Sequence, residues 1–238
     1  MVCGMSRIAL VTGANKGIGY EISRLLIAAG VSVLLGARSV ERGQAAAALL
    51  GARFLHLDVT DAESIEVAAK KIEHQFGVLD ILVNNAGIGG SFAKPSATPL
   101  DDVRRVFDTN LFGAIAVTNA MLPLLRKSAA GRIVNVSSEV GSLHVATDRS
   151  GPIWGLITLS YPASKSALNM MTVQYAKELI DTPIKVNAVT PGYTATDFNG
   201  GQGYRTAAQA AEICVSLALL PADGPTGTFI DERGTVPW

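Results

Sequence analysis

Ile8-Ala9-Leu10-Val11-Thr12-Gly13-Ala14-Asn15-Lys16-Gly17-Ile18-Gly19 is the stretch whose reading decides the fold. A short apolar run enters a turn holding three glycines, and a helix-length pattern, Gly17–Ala29, leaves it. Glycines let such a turn close tightly and let the backbone approach a bulky anion, while the first N–H groups of the helix stay free to meet it. After a first strand and before a first helix, this is where a dinucleotide's pyrophosphate is bound.

The same alternation recurs outward from that turn. Strands are expected over Ile8–Val11, Val31–Leu35, Arg53–Leu57, Ile81–Val83, Arg132–Val136, Ile184–Val189 and Thr228–Ile230. Helices are expected over Gly17–Ala29, Val40–Leu50, Ala62–Gln75, Leu100–Lys127, Ala163–Ile180 and Ala207–Leu219. Several strand runs are apolar almost throughout, as parallel strands covered on both faces are. Ile65, Ala68, Ala69 and Ile72 form one helical stripe, with Asp61 as N-cap and Gly77 as stop. The expectation is an α/β fold: a Rossmann-type doubly wound parallel sheet of about seven strands with helices on both faces, one domain over 1–238. An insert at about 139–160 and a loop at about 193–208 interrupt the alternation, as lids and substrate loops do.

The chain has 238 residues with 20 basic and 20 acidic side chains, a net charge of zero that leaves no basic footprint for nucleic acid. With 48% hydrophobic and 17% charged residues it is not a disordered chain. The longest apolar run, Leu25 to Ala37, is too short for a bilayer and holds two glycines. No export signal is read at the start, so a cytoplasmic protein without a membrane partner is expected. Cys3 and Cys214 make no disulfide framework, and Cys214 reads as a buried small hydrophobe. His56, His74 and His144 lack metal-ligand spacing, so no metal is expected; His144, in the insert, keeps substrate contact as an alternative.

Two positions carry chemistry. An NAD site places a carboxylate at the end of the second strand, whereas this chain reads Gly36-Ala37-Arg38-Ser39 there. Arg38, aided by Lys16, suits a 2′-phosphate, which makes NADP(H) the expected cofactor. Tyr161 and Lys165 stand i and i+4 on one helix face. A lysine ammonium there would lower the tyrosine pKa from about 10 and make it a general acid for a carbonyl becoming an alcohol. The spacing alone is weak, but Asn135-Val136-Ser137-Ser138 closes the fifth strand, where an open sheet presents residues to its ligand crevice.

Together these residues resemble the short-chain dehydrogenase/reductase family. The matches are Thr12–Gly19, Asp58, Asn84-Asn85-Ala86-Gly87, Asn110, Ser138, Tyr161 with Lys165, and Pro191-Gly192, in the family's order along nearly the whole chain. Asn15-Lys16 and Gly36-Ala37-Arg38-Ser39 are most similar to NADPH-dependent carbonyl reductases. The resemblance implies Tyr161 as proton donor, Lys165 as ribose ligand and tuner of Tyr161, and Ser138, rather than Ser137, as partner of the substrate oxygen. It implies that Asn110 holds a water linking Lys165 to solvent, that Asp58 and Val59 frame the adenine, and that Asn85 packs beside the adenosine. Gly13, Asn15, Lys16, Gly17, Ile18 and Gly19 would cradle the cofactor from one side, and Gly192, Thr194 and Thr196 from the other.

Ser138 and Tyr161 stand 23 positions apart, about ten more than most members show; the carbonyl reductases that this chain resembles carry a larger insert here, which covers the helical face that other members use to form tetramers. The insert's Leu143, Trp154, Leu156, Ile157 and Leu159 are therefore expected to pack on that face or roof the pocket, giving a monomer, with a dimer as alternative. The tail Asp231-Glu232-Arg233-Gly234 also departs from the family's glycine-rich ending. The expected activity is NADPH-dependent reduction of an aldehyde or ketone. Its alternatives are alcohol oxidation by the same machinery and a non-catalytic NADP(H) sensor. Trp154, Tyr193, Phe198 and Tyr204 point to a hydrophobic or aromatic carbonyl substrate.

Overall fold

The computed structural model describes residues 6–238; Cys3 lies outside them. Seven parallel strands run β1(Ile8–Thr12), β2(Ser32–Ala37), β3(Arg53–His56), β4(Ile81–Asn84), β5(Arg132–Val136), β6(Lys185–Val189) and β7(Phe229–Asp231). An eighth, β8(Gly234–Thr235), was not expected; it folds back antiparallel on β7 across the tail turn. The order β3-β2-β1-β4-β5-β6-β7-β8 reverses direction between β1 and β4, and an open sheet forms its ligand crevice at such a switch point.

Alternation along the strands sends side chains to two cores. Ala9, Val11, Val33 and Leu35 pack under α1(Gly17–Ala28), α2(Val40–Leu50) and α8(Ala207–Ala218). Ile8, Leu10, Leu34 and Leu82 pack under α3(Ala62–Phe76), α5(Gly113–Leu125) and α7(Ser160–Glu178). Asp61 caps α3 by accepting from the Glu63 N–H, and Gly77 ends it at φ 71°, a conformation glycine adopts without strain. Cys214 is fully buried in the first core, and burial pushes its thiol up to about 12.

The long helix expected over Leu100–Lys127 is corrected to α4(Leu100–Phe107), a π-helical turn over Asp108–Phe112, and α5. The backbone stays right-handed helical across both junctions, so hydrophobic periodicity could not reveal the extra residue in the turn. Helix α7 begins at Ser160 rather than Ala163; Pro162 falls in its first turn, where a missing N–H costs nothing.

The insert forms a 3-10 turn, Glu139–Gly141, and a short α6(Leu143–Thr147), then an irregular stretch to Leu159. Its expected packing is not seen: Leu143, Trp154 and Ile157 are 68%, 49% and 58% exposed, and Leu156 and Leu159 are also exposed. Val145 packs inward, against Ala188, Phe229 and Val236. The tail holds this end instead, since Ser142 donates to the Pro237 carbonyl and the His144 N–H to that of Trp238. No helix among the described residues is long and apolar enough to cross a membrane.

Candidate active site

The glycine turn is shaped by backbone crowding. A Cβ at Gly13, whose φ is 63°, would stand 2.9 Å from the Ala86 Cα. One at Gly19 would stand 2.4 Å from the Asn85 Nδ2 and 2.8 Å from the Gly13 carbonyl oxygen. Thr12 Oγ1 accepts the N–H groups of Asn85 and Ala86, locking the turn to the end of β4. The Asn85 amide donates to the Thr12 and Gly13 carbonyls, so its side chain braces the turn. Lys16 is the N-cap of α1 without a side-chain cap, so the helix's first N–H groups face the crevice with their favourable dipole. A Cβ at Gly17 would face the Thr196 Cγ2 at 3.6 Å across that space. An uncapped helix start behind a cradle that side chains would fill fits a diphosphate.

Arg38 is exposed at the end of β2, and its charge reaches Asp58 at the end of β3. Burial pushes the Asp58 carboxyl up, but the Thr60 N–H and hydroxyl, then Arg38 and His56, outweigh it and hold the group below its usual range. Val59 backs onto Gly113 of α5, where a Cβ would meet its carbonyl at 2.8 Å. The Lys16 ammonium bridges the crevice to Asp197 at 2.8 Å, both side chains well exposed.

Ser138 follows β5, and its hydroxyl lies near enough to that of Tyr161 on α7 to pull the phenol's pKa down. Ser137 is instead buried and donates to the Asn169 Oδ1 at 2.6 Å. Buried Lys165 donates to the Val136 carbonyl at 2.7 Å, and its Nζ lies 5.5 Å from the centre of the Tyr161 ring. Burial lowers Lys165 to about 8. The expected lowering of Tyr161 is corrected: its ring is partly exposed but its hydroxyl is enclosed, and burial raises it to about 12 against the pull of Ser138.

Buried Asn110, in the π-helical turn, accepts the Ile88 N–H and donates to the Ile88 carbonyl and the Ser164 hydroxyl. Its side chain is thus engaged by protein, and a Cβ at Gly87 would lie between Asn110 Oδ1 at 3.4 Å and Lys165 Nζ at 3.7 Å. Sequence reading missed Gly141, where a Cβ would stand 2.7 Å from the Lys165 backbone; only a glycine lets the Glu139–Gly141 turn lie on α7. The Glu139-Val140-Gly141 triplet just after Ser138 was the available signal.

The loop after β6 closes the other side. Gly192 takes φ 78°, the Thr194 hydroxyl donates to its carbonyl, and Thr194 pairs with Arg205 to pinch the loop at its base. The tip is a 3-10 turn, Asp197–Asn199, with a reciprocal capping box between Thr196 and Asn199. The Phe198 ring reaches back to 3.4 Å from where a Gly89 Cβ would be, and meets the Tyr161 ring edge-on at 5.3 Å. Tyr193 and Tyr204 lie near each other, exposed, on the same loop.

A family model described as short chain dehydrogenase matches residues 7–205. The short-chain dehydrogenase anuI of Penicillium roqueforti is 39% identical over 96% of this chain and 95% of its own. The NADPH carbonyl reductase 1 of Sus scrofa is 34% identical over 98% and 94%. The crystal structure of NADPH-bound carbonyl reductase from chicken fatty liver superposes with a TM-score of 0.87 at 29% identity, covering 98% of this chain and 99% of that one.

Proposed function

The chain belongs to the short chain dehydrogenase family, and from that premise we propose that it is an NADPH-dependent reductase that turns an aldehyde or ketone into an alcohol, with Tyr161 as proton donor. The observation that carries this reading is the convergence of the Ser138 and Tyr161 hydroxyls, from β5 and α7, beside buried Lys165 at the carboxyl edge of the sheet.

The crevice suits NADP(H) along its length. The start of α1 and the residues from Gly13 to Gly19 take the diphosphate, with Gly192, Thr194 and Thr196 opposite. Arg38 and Lys16 offer positive charge to a 2′-phosphate, Asp58 and Val59 frame the adenine, and Lys165 holds the nicotinamide ribose. A relative named for NADPH and a neighbour solved with it support this choice.

When bound, NADPH supplies the hydride that the carbonyl carbon receives. The hydroxyls of Ser138 and Tyr161 donate hydrogen bonds to the carbonyl oxygen, where negative charge develops. Tyr161 then gives up its proton. An alkoxide is a much stronger base than a phenolate, so this transfer is favourable even from a phenol at about 12. Lys165, at about 8, is mostly an ammonium at neutral pH and attracts the forming phenolate. A water held near Asn110 in the wide turn would return the proton through Lys165. The Phe198 ring, laid on side-chain-free Gly89, offers a flat apolar wall for a hydrophobic or aromatic carbonyl compound.

The test is NADPH consumption, followed by its absorbance at 340 nm, against aldehydes, ketones and diketones, with Tyr161→Phe alongside. Loss of a general acid lowers kcat by roughly 100- to 10,000-fold, with NADPH affinity kept within about threefold. A fully active Tyr161→Phe would remove the proposed mechanism, and equal affinities for NADPH and NADH would remove the role of Arg38.

A further inference from the structure

Helix α7 carries Tyr161 in its first turn, yet that turn has no side-chain cap at Leu159 and no acidic residue of its own. The structure secures it from another element. Asp102, on α4, keeps its side chain only 13% exposed. Its Oδ2 accepts the Ser160 hydroxyl at 2.7 Å and the Ser91 N–H at 2.9 Å, while its Oδ1 accepts from Arg105 at 2.6 Å.

One carboxylate oxygen therefore joins the residue before the proton donor to the loop after β4, the loop whose Gly89 supports Phe198. The grip on that loop is two-sided, because the Thr158 hydroxyl donates to the Ser91 carbonyl at 2.8 Å. Gly90, at φ 75°, fits the clamp closely: a Cβ there would stand 3.0 Å from the Asp102 Oδ2 and 3.2 Å from the Ser160 Cβ. A negative charge at a helix start also meets the positive end of its dipole. On the other side of the same turn, the Ser164 hydroxyl donates to the Tyr161 carbonyl and itself accepts from the Asn110 amide.

We propose that Asp102 is a positioning residue for the reaction, clamping the first turn of α7 to the Ile88–Ser91 wall so that the Tyr161 hydroxyl stands at a set distance from the substrate held against that wall. The inference rests on the reading of Tyr161 as proton donor. Asp102 touches no reacting atom; its effect passes through Ser160 and Ser91. Displacing a catalytic group by about 1 Å can cost a hundredfold in rate.

Asp102→Ala, Asp102→Asn and Ser160→Ala are compared with the wild type and with Tyr161→Phe, by steady-state kinetics, thermal melting and hydrogen exchange. Asp102→Ala is expected to lower kcat at least about tenfold, to leave the KM for NADPH within twofold, and to speed exchange in segments 88–93 and 160–165. Asp102→Asn keeps an acceptor oxygen for both donors and restores most of the loss. Ser160→Ala, which removes one hydroxyl, lowers kcat in the same direction and carries the test if Asp102→Ala does not fold. Wild-type kcat in Asp102→Ala or in Ser160→Ala, or losses that only track melting temperature, overturn the inference. If Tyr161→Phe is itself fully active, the reading of the proton donor has failed instead.

Discussion

The glycine turn after β1 and the loop after β6 face each other across the crevice, and they are held by opposite means. At the turn, close backbone approach leaves no freedom: Cβ atoms at Gly13 and Gly19 would collide with Ala86, Asn85 and the turn's own carbonyl. The loop is pinched at its base by Thr194 and Arg205, and its far limb carries glycines with positive φ at 200, 201 and 203. Its tip touches the rest of the molecule through the exposed Lys16–Asp197 pair and the half-exposed Phe198 ring. The glycine turn is thus held by its own backbone, whereas the tip of the loop rests on a few side-chain contacts.

Breaking the rigid side has the largest expected effect. Gly13→Val puts a β-branched residue at φ 63° with a backbone carbon 2.9 Å from its Cβ. It should cost roughly 2–4 kcal/mol of stability and abolish measurable NADPH binding, read by melting and by cofactor fluorescence. An unchanged affinity would show that the turn is as adaptable as the loop.

The floor between the two regions comes next. Burial leaves Lys165 at about 8 against its ordinary 10.5, so its charge is lost as pH rises through 8. Reductive kcat/KM should accordingly fall by about tenfold per unit above that point. The same shift means that the folded protein binds fewer protons than the unfolded chain between about 8 and 10.5, so Lys165 favours folding more as pH rises through that window. Tyr161, raised to about 12, acts oppositely and withdraws stability as pH climbs above 10.

A smaller effect is expected at the loop. Phe198→Ala should raise KM for aromatic ketones by about three- to tenfold, in line with the loss of one aromatic contact, and leave NADPH affinity unchanged. If cofactor affinity falls instead, the loop belongs to the rigid side. Asp197→Asn is expected to do least: an exposed ion pair contributes little and is screened by salt. Freeing Lys16 should tighten NADPH by no more than about threefold, and the gain should disappear in high salt.

Much of the fold could be read from local pattern. The strand runs and the Asp61 and Gly77 boundaries of α3 appear close to where periodicity and capping chemistry place them. The π-helical turn at Asp108–Phe112 was hidden because its residues keep helical torsions and apolar spacing. The two-residue β8 is too short to carry a period. The insert's apolar residues suggested burial, but Leu143, Trp154 and Ile157 stay exposed, with Trp154 covered by the Arg149 guanidinium. At the site, the glycines were legible from their place after the first strand, and Tyr161 and Lys165 from their spacing together with the strand end at Asn135-Val136-Ser137-Ser138. Asp102, Gly141 and the bracing role of Asn85 were not, because each acts on residues distant in sequence.

The sequence by itself determined the order of strands and helices, the glycine turn, the absence of a carboxylate at the end of β2, and the Tyr161–Lys165 face, all of which are local. Only the tertiary structure decided that Ser137 is tied to Asn169, that Lys16 answers to Asp197, that Phe198 lies on Gly89, and that Tyr161 is raised rather than lowered. Hydrogen bonding and desolvation depend on which distant groups packing brings within a few ångströms, and a spacing along the chain carries no measure of that.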